Sequence, residues 1–212
     1  MTRVAPAKQR QESLDSTDVR ERILDAAFAA FMKSGYASTS TLEIATRARV
    51  SKRELYAVVG NKQEILIACI RARATRFKVP ADVPVPHDRE TLEQVLASFA
   101  TQLLREITDP AVITVFRLAI ADAVRAPEVA QALDSIGREA SRAALRQIMT
   151  QAQASGLIDG RPAELAERFG GLLWGNLLVS LLLGVAERPS SREVAIRARD
   201  ATAAFLRLHS PG

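Results

Sequence analysis

Two capping-box sequences stand eleven residues apart, Ser40-Thr41-Leu42-Glu43 and Ser51-Lys52-Arg53-Glu54. In such a box the serine satisfies an exposed N–H of a helix start and the glutamate three residues on reaches back to it. The helix opened by the first box must therefore end within about two turns to make room for the second. The spacing predicts a short helix over 41–48, a turn at Arg49-Val50, and a second short helix from Ser51 to about Val59. Two short helices joined by so tight a turn describe a helix-turn-helix. Ile44, Ala45, Val50, Leu55 and Val59 fall at spacings that bury them between these helices and the preceding one.

The rest of the chain carries the same kind of punctuation. Residues 1–16 are polar and aperiodic, and are expected to form a disordered arm. A first helix is expected from Thr17 or Asp18, with Ile23, Ala27 and Phe31 at four-residue spacing and Gly35 as its stop. A linking helix is expected over 61–78. Three prolines then fall within residues 79–87, and the domain boundary is placed there. Beyond it, helices are expected over about 88–106, from Pro110, from Pro127 to near Gly156, from Pro162 through the apolar stretch, and after Ser190, where Ser190 to Glu193 again fits a capping box. The fold class expected is all-α, about nine helices. Its domains are a helix-turn-helix domain over 17–60, the linking helix, and an effector-binding and dimerisation domain over 79–212.

Composition excludes several classes. Cys69 is the one cysteine, so no intramolecular disulfide can form, and a reducing, cytoplasmic location fits. Residues 1–16 hold no apolar run of the secretory kind. Phe169 to Ala186 is 18 residues without a charge, near the lower limit for a membrane span. It contains four glycines, Asn176 and Ser180, and is flanked by charges of both signs, so it reads as a helix buried in protein. His87 and His209 lack partners at metal-ligand spacing, and no phosphate-binding glycine loop or nucleophile elbow is present. No metal, cofactor or catalytic residue is expected.

The charge is uneven. Residues 1–78 hold 15 Lys+Arg against 8 Asp+Glu, and residues 79–212 hold 14 against 16. A basic first third suits a polyanion, although a solvated basic surface gives the same count. The second short helix turns Lys52, Arg53, Tyr56 and Ala57 away from its apolar side. Lys and Arg neutralise phosphate or donate to guanine, Tyr56 can donate to phosphate, and Ala57 is small enough to approach a thymine methyl. The backbone N–H groups at the helix starts near Ser40 and Ser51 suit phosphate. Spacing alone also fits a plain packing hairpin.

Arg20, Ile23-Leu24, Ala26-Ala27, Phe31, Gly35-Tyr36, Thr39, Ile44-Ala45, Val50-Ser51, Leu55-Tyr56, Lys62 and Ile65-Leu66 together resemble the DNA-binding domain of the tetracycline-repressor (TetR) family. The resemblance implies a homodimeric regulator whose first three helices bind a near-palindromic double-stranded operator. A fourth helix would link them to a domain that binds a small, often apolar effector and dimerises. It implies DNA contacts from Thr39, Thr41, Ser51, Lys52, Arg53, Tyr56 and Lys62. Arg49 stands where the family usually has a turn glycine. If the position keeps a positive φ, Arg49 costs about 1 kcal/mol, which a phosphate contact would offset. Val58 replaces a polar residue the family often shows there.

In the second domain Leu103, Ile107, Phe116, Ile120, Ile148, Leu173, Trp174, Asn176 and Leu177 are candidates to line an effector cavity, or ordinary core. Gly171 and Gly175 are spaced to let two helices approach closely, across a dimer or within the chain. With Ala195, Arg199, Thr202 and Leu206 they form the expected dimer interface. A regulator without a small-molecule effector and a helical small-molecule-binding protein are the alternatives.

Overall fold

The computed structural model describes residues 7–74 and 85–209, with side chains over 17–72 and 85–209. Among these residues there are eleven α-helices, one π-helical segment and no strand. They run α1 (Ala7–Ser34), α2 (Thr41–Ala48), α3 (Lys52–Val58), α4 (Lys62–Ala74), α5 (Arg89–Ile107) and α6 (Pro110–Ala121). Then come α7 (Pro127–Ala132), the π-helical segment Leu133–Arg138, α8 (Glu139–Ala154), α9 (Pro162–Trp174), α10 (Leu177–Leu183) and α11 (Ser191–Leu208).

The helix count exceeds the expected nine at two places. The helix expected from Pro127 to near Gly156 is interrupted by the π-helical segment. The one expected from Pro162 through the apolar stretch is cut at Gly175 and Asn176. Gly175 takes φ 44° and ψ −126°, a conformation open to glycine alone, and ends α9. α1 also starts at Ala7, where a disordered arm was expected. Ala-Lys-Gln-Arg-Gln-Glu are strong helix formers, and propensity extends the helix although no apolar period marks it. The disordered arm over 1–6, the proline connector over 79–84 and the last residues of the linking helix, 75–78, lie outside the described residues.

The chain divides into two compact units, Met1–Arg73 with Leu118–Leu133, and Ala74–Arg117 with Asp134–Gly212. The segment Leu118–Leu133, expected in the second domain, thus groups with the helix-turn-helix, and α6 is shared between the units. In the first unit α1 packs on both α2 and α3. Ile23, Ala27, Phe31, Ile44, Ala45 and Leu55 are buried, as their spacing predicts, and so is Ile65 of α4, while Val50 and Val59 are only half-buried. In the second unit α5, α8, α9 and α11 pack together around Leu96, Leu104, Ile148, Met149, Phe169 and Phe205. The Phe169 and Phe205 rings meet edge to face at 5.4 Å.

Arginines close helix ends across this second unit. A helix leaves its last carbonyls unpaired, and a guanidinium from another helix can take them. Arg197 of α11 donates to Leu173 O and Trp174 O at the end of α9, at 3.0 and 3.2 Å. Arg117 of α6 donates to Leu181 O and Leu182 O of α10, and Arg89 of α5 to Leu206 O of α11. Arg117 is therefore a cap.

Candidate nucleic-acid interface

α2 ends because Arg49 adopts the left-handed conformation, φ 57° and ψ 45°. Arg49 N–H donates to Thr46 O and Val50 N–H to Ala45 O, the paired bonds of a Schellman stop. The same pair of bonds ends α8 at Gly156 and α10 at Gly184. Among the described residues, Arg49 is the one residue other than glycine with positive φ. The conditional cost raised by its sequence position therefore applies. Its side chain is exposed.

α3 opens on a complete capping box: Glu54 N–H donates to Ser51 Oγ at 3.0 Å, and Ser51 N–H to Glu54 Oε2 at 3.4 Å. The Ser51 hydroxyl thereby accepts within its own cap and its backbone N–H is taken by Glu54. At α2 only half of the box forms. Glu43 N–H donates to Ser40 Oγ at 3.1 Å, but the Glu43 carboxylate turns to Arg47 at 3.3 Å. Leu55 is fully buried, which fixes the rotation of α3 and turns Lys52, Arg53, Tyr56 and Ala57 outward. Lys52 Nζ lies 5.9 Å from the Tyr56 ring centre, within cation–π range. Tyr56 is 45% exposed, and its hydroxyl lies 3.4 Å from Thr41 Oγ1 on α2. Arg20 of α1 donates to Val58 O at the end of α3. Lys52, Arg53, Tyr56, Ala57, Thr41, Ser40 and Arg49 thus belong to one outward-facing helix pair and its turn.

Two expected contacts are placed differently. Thr39 is 2% exposed, and its hydroxyl donates to Gly35 O at 2.7 Å, closing the turn after α1. It reaches no surface from which DNA could be touched. Lys62 directs its ammonium to Tyr36 O, Ala37 O and Thr39 O. Spacing gave no sign of either bond, because both bridge the irregular turn 35–39.

Leu42, 63% exposed on α2, is an apolar member of this surface that the sequence reading did not select. Its position directly after Thr41 at the capped start of α2 was the available signal.

In the second unit Leu103, Ile107, Ile148 and Leu173 are buried in one core cluster, with Phe116, Trp174 and Leu177 packed against it. Ile120 is 62% exposed and belongs to the other unit, and Asn176 is exposed, so neither joins them. A groove of about 710 Å³ opens elsewhere, between Leu172 and Leu177 on one side and Glu193, Ile196, Arg197 and Asp200 of α11 on the other. Of the expected effector residues only Leu177 lines it.

The expected dimer residues also separate. Thr202 and Leu206 are buried in the core, Thr202 donating to Ala198 O, so neither is available to a second copy. The mixed polarity of α11 concealed that its polar Thr202 faces inward with its hydrogen bond satisfied along the helix. Ala195 and Arg199 face a shallower groove against α5. Gly171 is exposed, and a Cβ there would meet nothing within 4 Å, so no intrachain approach explains it. Gly175 is glycine for its backbone conformation rather than for close packing. Leu172 of α9, Val179 and Leu183 of α10 and Ile196 of α11 are exposed apolar side chains.

Among the described residues no helix is long and apolar enough to cross a membrane. None of their acidic, histidine and cysteine side chains gather as a metal site.

Two family models match the chain. Residues 23–69 match one described as bacterial regulatory proteins, tetR family, and residues 94–211 match one described as AefR-like transcriptional repressor, C-terminal domain. The chain is similar to a TetR transcriptional regulator from Agrobacterium tumefaciens, with 27% identity and a TM-score of 0.77 over 91% of this chain and 95% of that one. A TetR-family transcriptional regulator from Mesorhizobium loti MAFF303099 gives 26% and 0.75 over 92% and 98%. The flavonoid-responsive regulator FrrA gives 27% and 0.75 over 91% and 97%. No curated protein sequence matches.

Proposed function

This chain belongs to the tetR family of bacterial regulatory proteins, and we propose that it is a dimeric repressor released from its operator by a small, mainly apolar molecule. It is a DNA-binding transcriptional regulator and not an enzyme. The observation that carries the DNA reading is the rotation of α3. Burial of Leu55 leaves Lys52, Arg53, Tyr56 and Ala57 on the outer side of a helix short enough to lie within one groove.

In the proposed complex Lys52 and Arg53 supply phosphate and base-edge contacts. Thr41 and Tyr56 share a hydroxyl pair that donates to the backbone, and Arg49 adds a cation at the turn. Ser40 and Ser51 act as caps, Ser51 without a spare backbone donor. Two copies associate through α9 to α11, where Gly171, Leu172, Val179 and Ile196 are exposed, and set their α3 helices about 34–36 Å apart, one turn of a near-palindromic duplex. An effector that binds better to another spacing shifts the population away from DNA. The regulator acts in the cytoplasm, where the operator is.

The effector class draws support from the similarity to a flavonoid-responsive regulator. One observation favours a second reading, a regulator without an effector: Leu103, Ile107, Ile148 and Leu173, expected to line its cavity, are buried as core.

The test is selection of bound fragments from the source genome, followed by anisotropy titration of the selected duplex. Lys52→Ala is expected to weaken binding and to lower the slope of log K against log salt by about 0.9. Binding that ignores salt, or no selected fragment, overturns the DNA reading. Release of the duplex by a panel of flat aromatic and aliphatic compounds separates the effector reading from its alternative.

A further inference from the structure

Position in the family motif implies that Lys62 contacts DNA. Its ammonium is already fully engaged. Lys62 Nζ donates to Tyr36 O at 3.0 Å, Thr39 O at 3.1 Å and Ala37 O at 3.3 Å. A lysine ammonium has three protons, and three carbonyls take all three. The same nitrogen lies 4.5 Å from the centre of the Tyr36 ring. Reaching a phosphate would mean abandoning charge-assisted bonds to a turn whose carbonyls have no helix to pair with.

The location of the charge points the same way. Lys62 is the first residue of α4, and the dipole of a helix start disfavours a cation. The α1–α2 turn outweighs that penalty with its carbonyl oxygens. What the turn positions is the reading surface: Ser40 follows Thr39 and caps α2, and Thr41 Oγ1 lies 3.4 Å from the Tyr56 hydroxyl on α3. Behind the turn, Tyr36 is buried against Phe31 at 5.5 Å.

We infer that Lys62 is a positioning residue: it fastens the start of α4 to the α1–α2 turn, seats α2 against α3 so that the base-facing side chains of α3 meet their cognate sequence, and neutralises no phosphate itself. This rests on the DNA-binding reading above. The two roles leave different signatures. A phosphate contact adds to the salt slope and serves any sequence. A positioning residue serves the cognate sequence and leaves the slope alone.

The experiment compares Lys62→Met, Lys62→Arg and the unaltered protein on two probes, the genome-selected duplex and a random-sequence duplex, from about 50 to 200 mM salt. Circular-dichroism melts check that each variant is folded. Both variants are expected to bind the selected duplex about tenfold more weakly, with unchanged salt slope and unchanged affinity for random duplex. Arginine is expected to fail like methionine, because a planar guanidinium cannot send three donors from one atom to three converging oxygens. A slope reduced by about 0.9 in Lys62→Met, with recovery in Lys62→Arg, would make Lys62 a phosphate contact and overturn the inference. Equal loss on both probes at constant slope would reduce it to a fold-stability residue, and unchanged binding would remove it from the surface altogether. Absence of salt-dependent binding by the unaltered protein would bring down the DNA-binding reading, and this inference with it.

Discussion

Between Thr41 and Val58 the chain stops a helix after eight residues, and between Pro162 and Leu183 it stops one after thirteen, by opposite means. The first stop is local. Arg49 turns left-handed, and the next helix begins at once on a serine–glutamate box. The second stop is made from a distance. Gly175 permits the break, and Arg197 from α11 accepts the job of pairing the carbonyls it exposes. Where polar residues write the signal, a helix end is written beside the helix. Where the helix is apolar, its end is set by whatever packs against it.

The largest test of that contrast lies in the packed half. Phe169→Ala removes a fully buried ring and its edge-to-face partner contact, and is expected to cost about 3–5 kcal/mol in chemical denaturation. Next come the two parts of the distant stop. Gly175→Ala is expected to cost about 1–3 kcal/mol for a side chain at that φ and ψ. Arg197→Ala leaves two carbonyls without their donor and is expected to cost about 1–3 kcal/mol. Were both variants as stable as the unaltered chain, the break would be local after all.

The local stop is expected to give smaller numbers. Ser51→Ala should cost about 1 kcal/mol, and Ser40→Ala less, since its box is only half formed. Arg49→Gly relieves about 1 kcal/mol of left-handed strain. It loosens the unfolded chain by about 0.4–1 kcal/mol, leaving a net gain of no more than about 0.5 kcal/mol. Its DNA affinity should fall if the Arg49 cation meets phosphate, an outcome readable by anisotropy.

The smallest expected effect is a pH dependence. Burial, and then the nearby carboxylates of Glu128 and Asp122, push the Tyr36 phenol above its ordinary value. A group raised on folding lends its stability below the unfolded value and loses it as pH rises. The first unit should therefore weaken above about pH 10, and Tyr36→Phe should flatten that alkaline limb in denaturation profiles.

The helix-turn-helix was legible because each of its boundaries is carried by residues adjacent to it. The rotation of α3 followed from the apolar spacing, since Leu55 has one side to go to. Thr39 and Lys62 were not legible, because their partners are carbonyls of an irregular turn, and a carbonyl is the same in every residue. The effector and dimer residues were harder for another reason. A stripe of Leu and Ile reads alike whether it faces core, ligand or partner, and only packing decides. Thr202 shows the converse, a polar residue whose hydroxyl is satisfied by its own helix and so can be buried without a trace in the pattern.

The arginine clasps of the second unit carry a consequence for acid tolerance. Arg197, Arg117 and Arg89 hold neutral carbonyls, so these clasps contain no carboxylate that acid could discharge. The carboxylate that completes the α11 cap is different: hydrogen bonds from Ser190 hold the Glu193 carboxyl below its usual range, so that brace lets go as the medium acidifies through its lowered value. Acidification should thus fray the beginning of α11 while its far end and the ends of α9 and α10 stay bound.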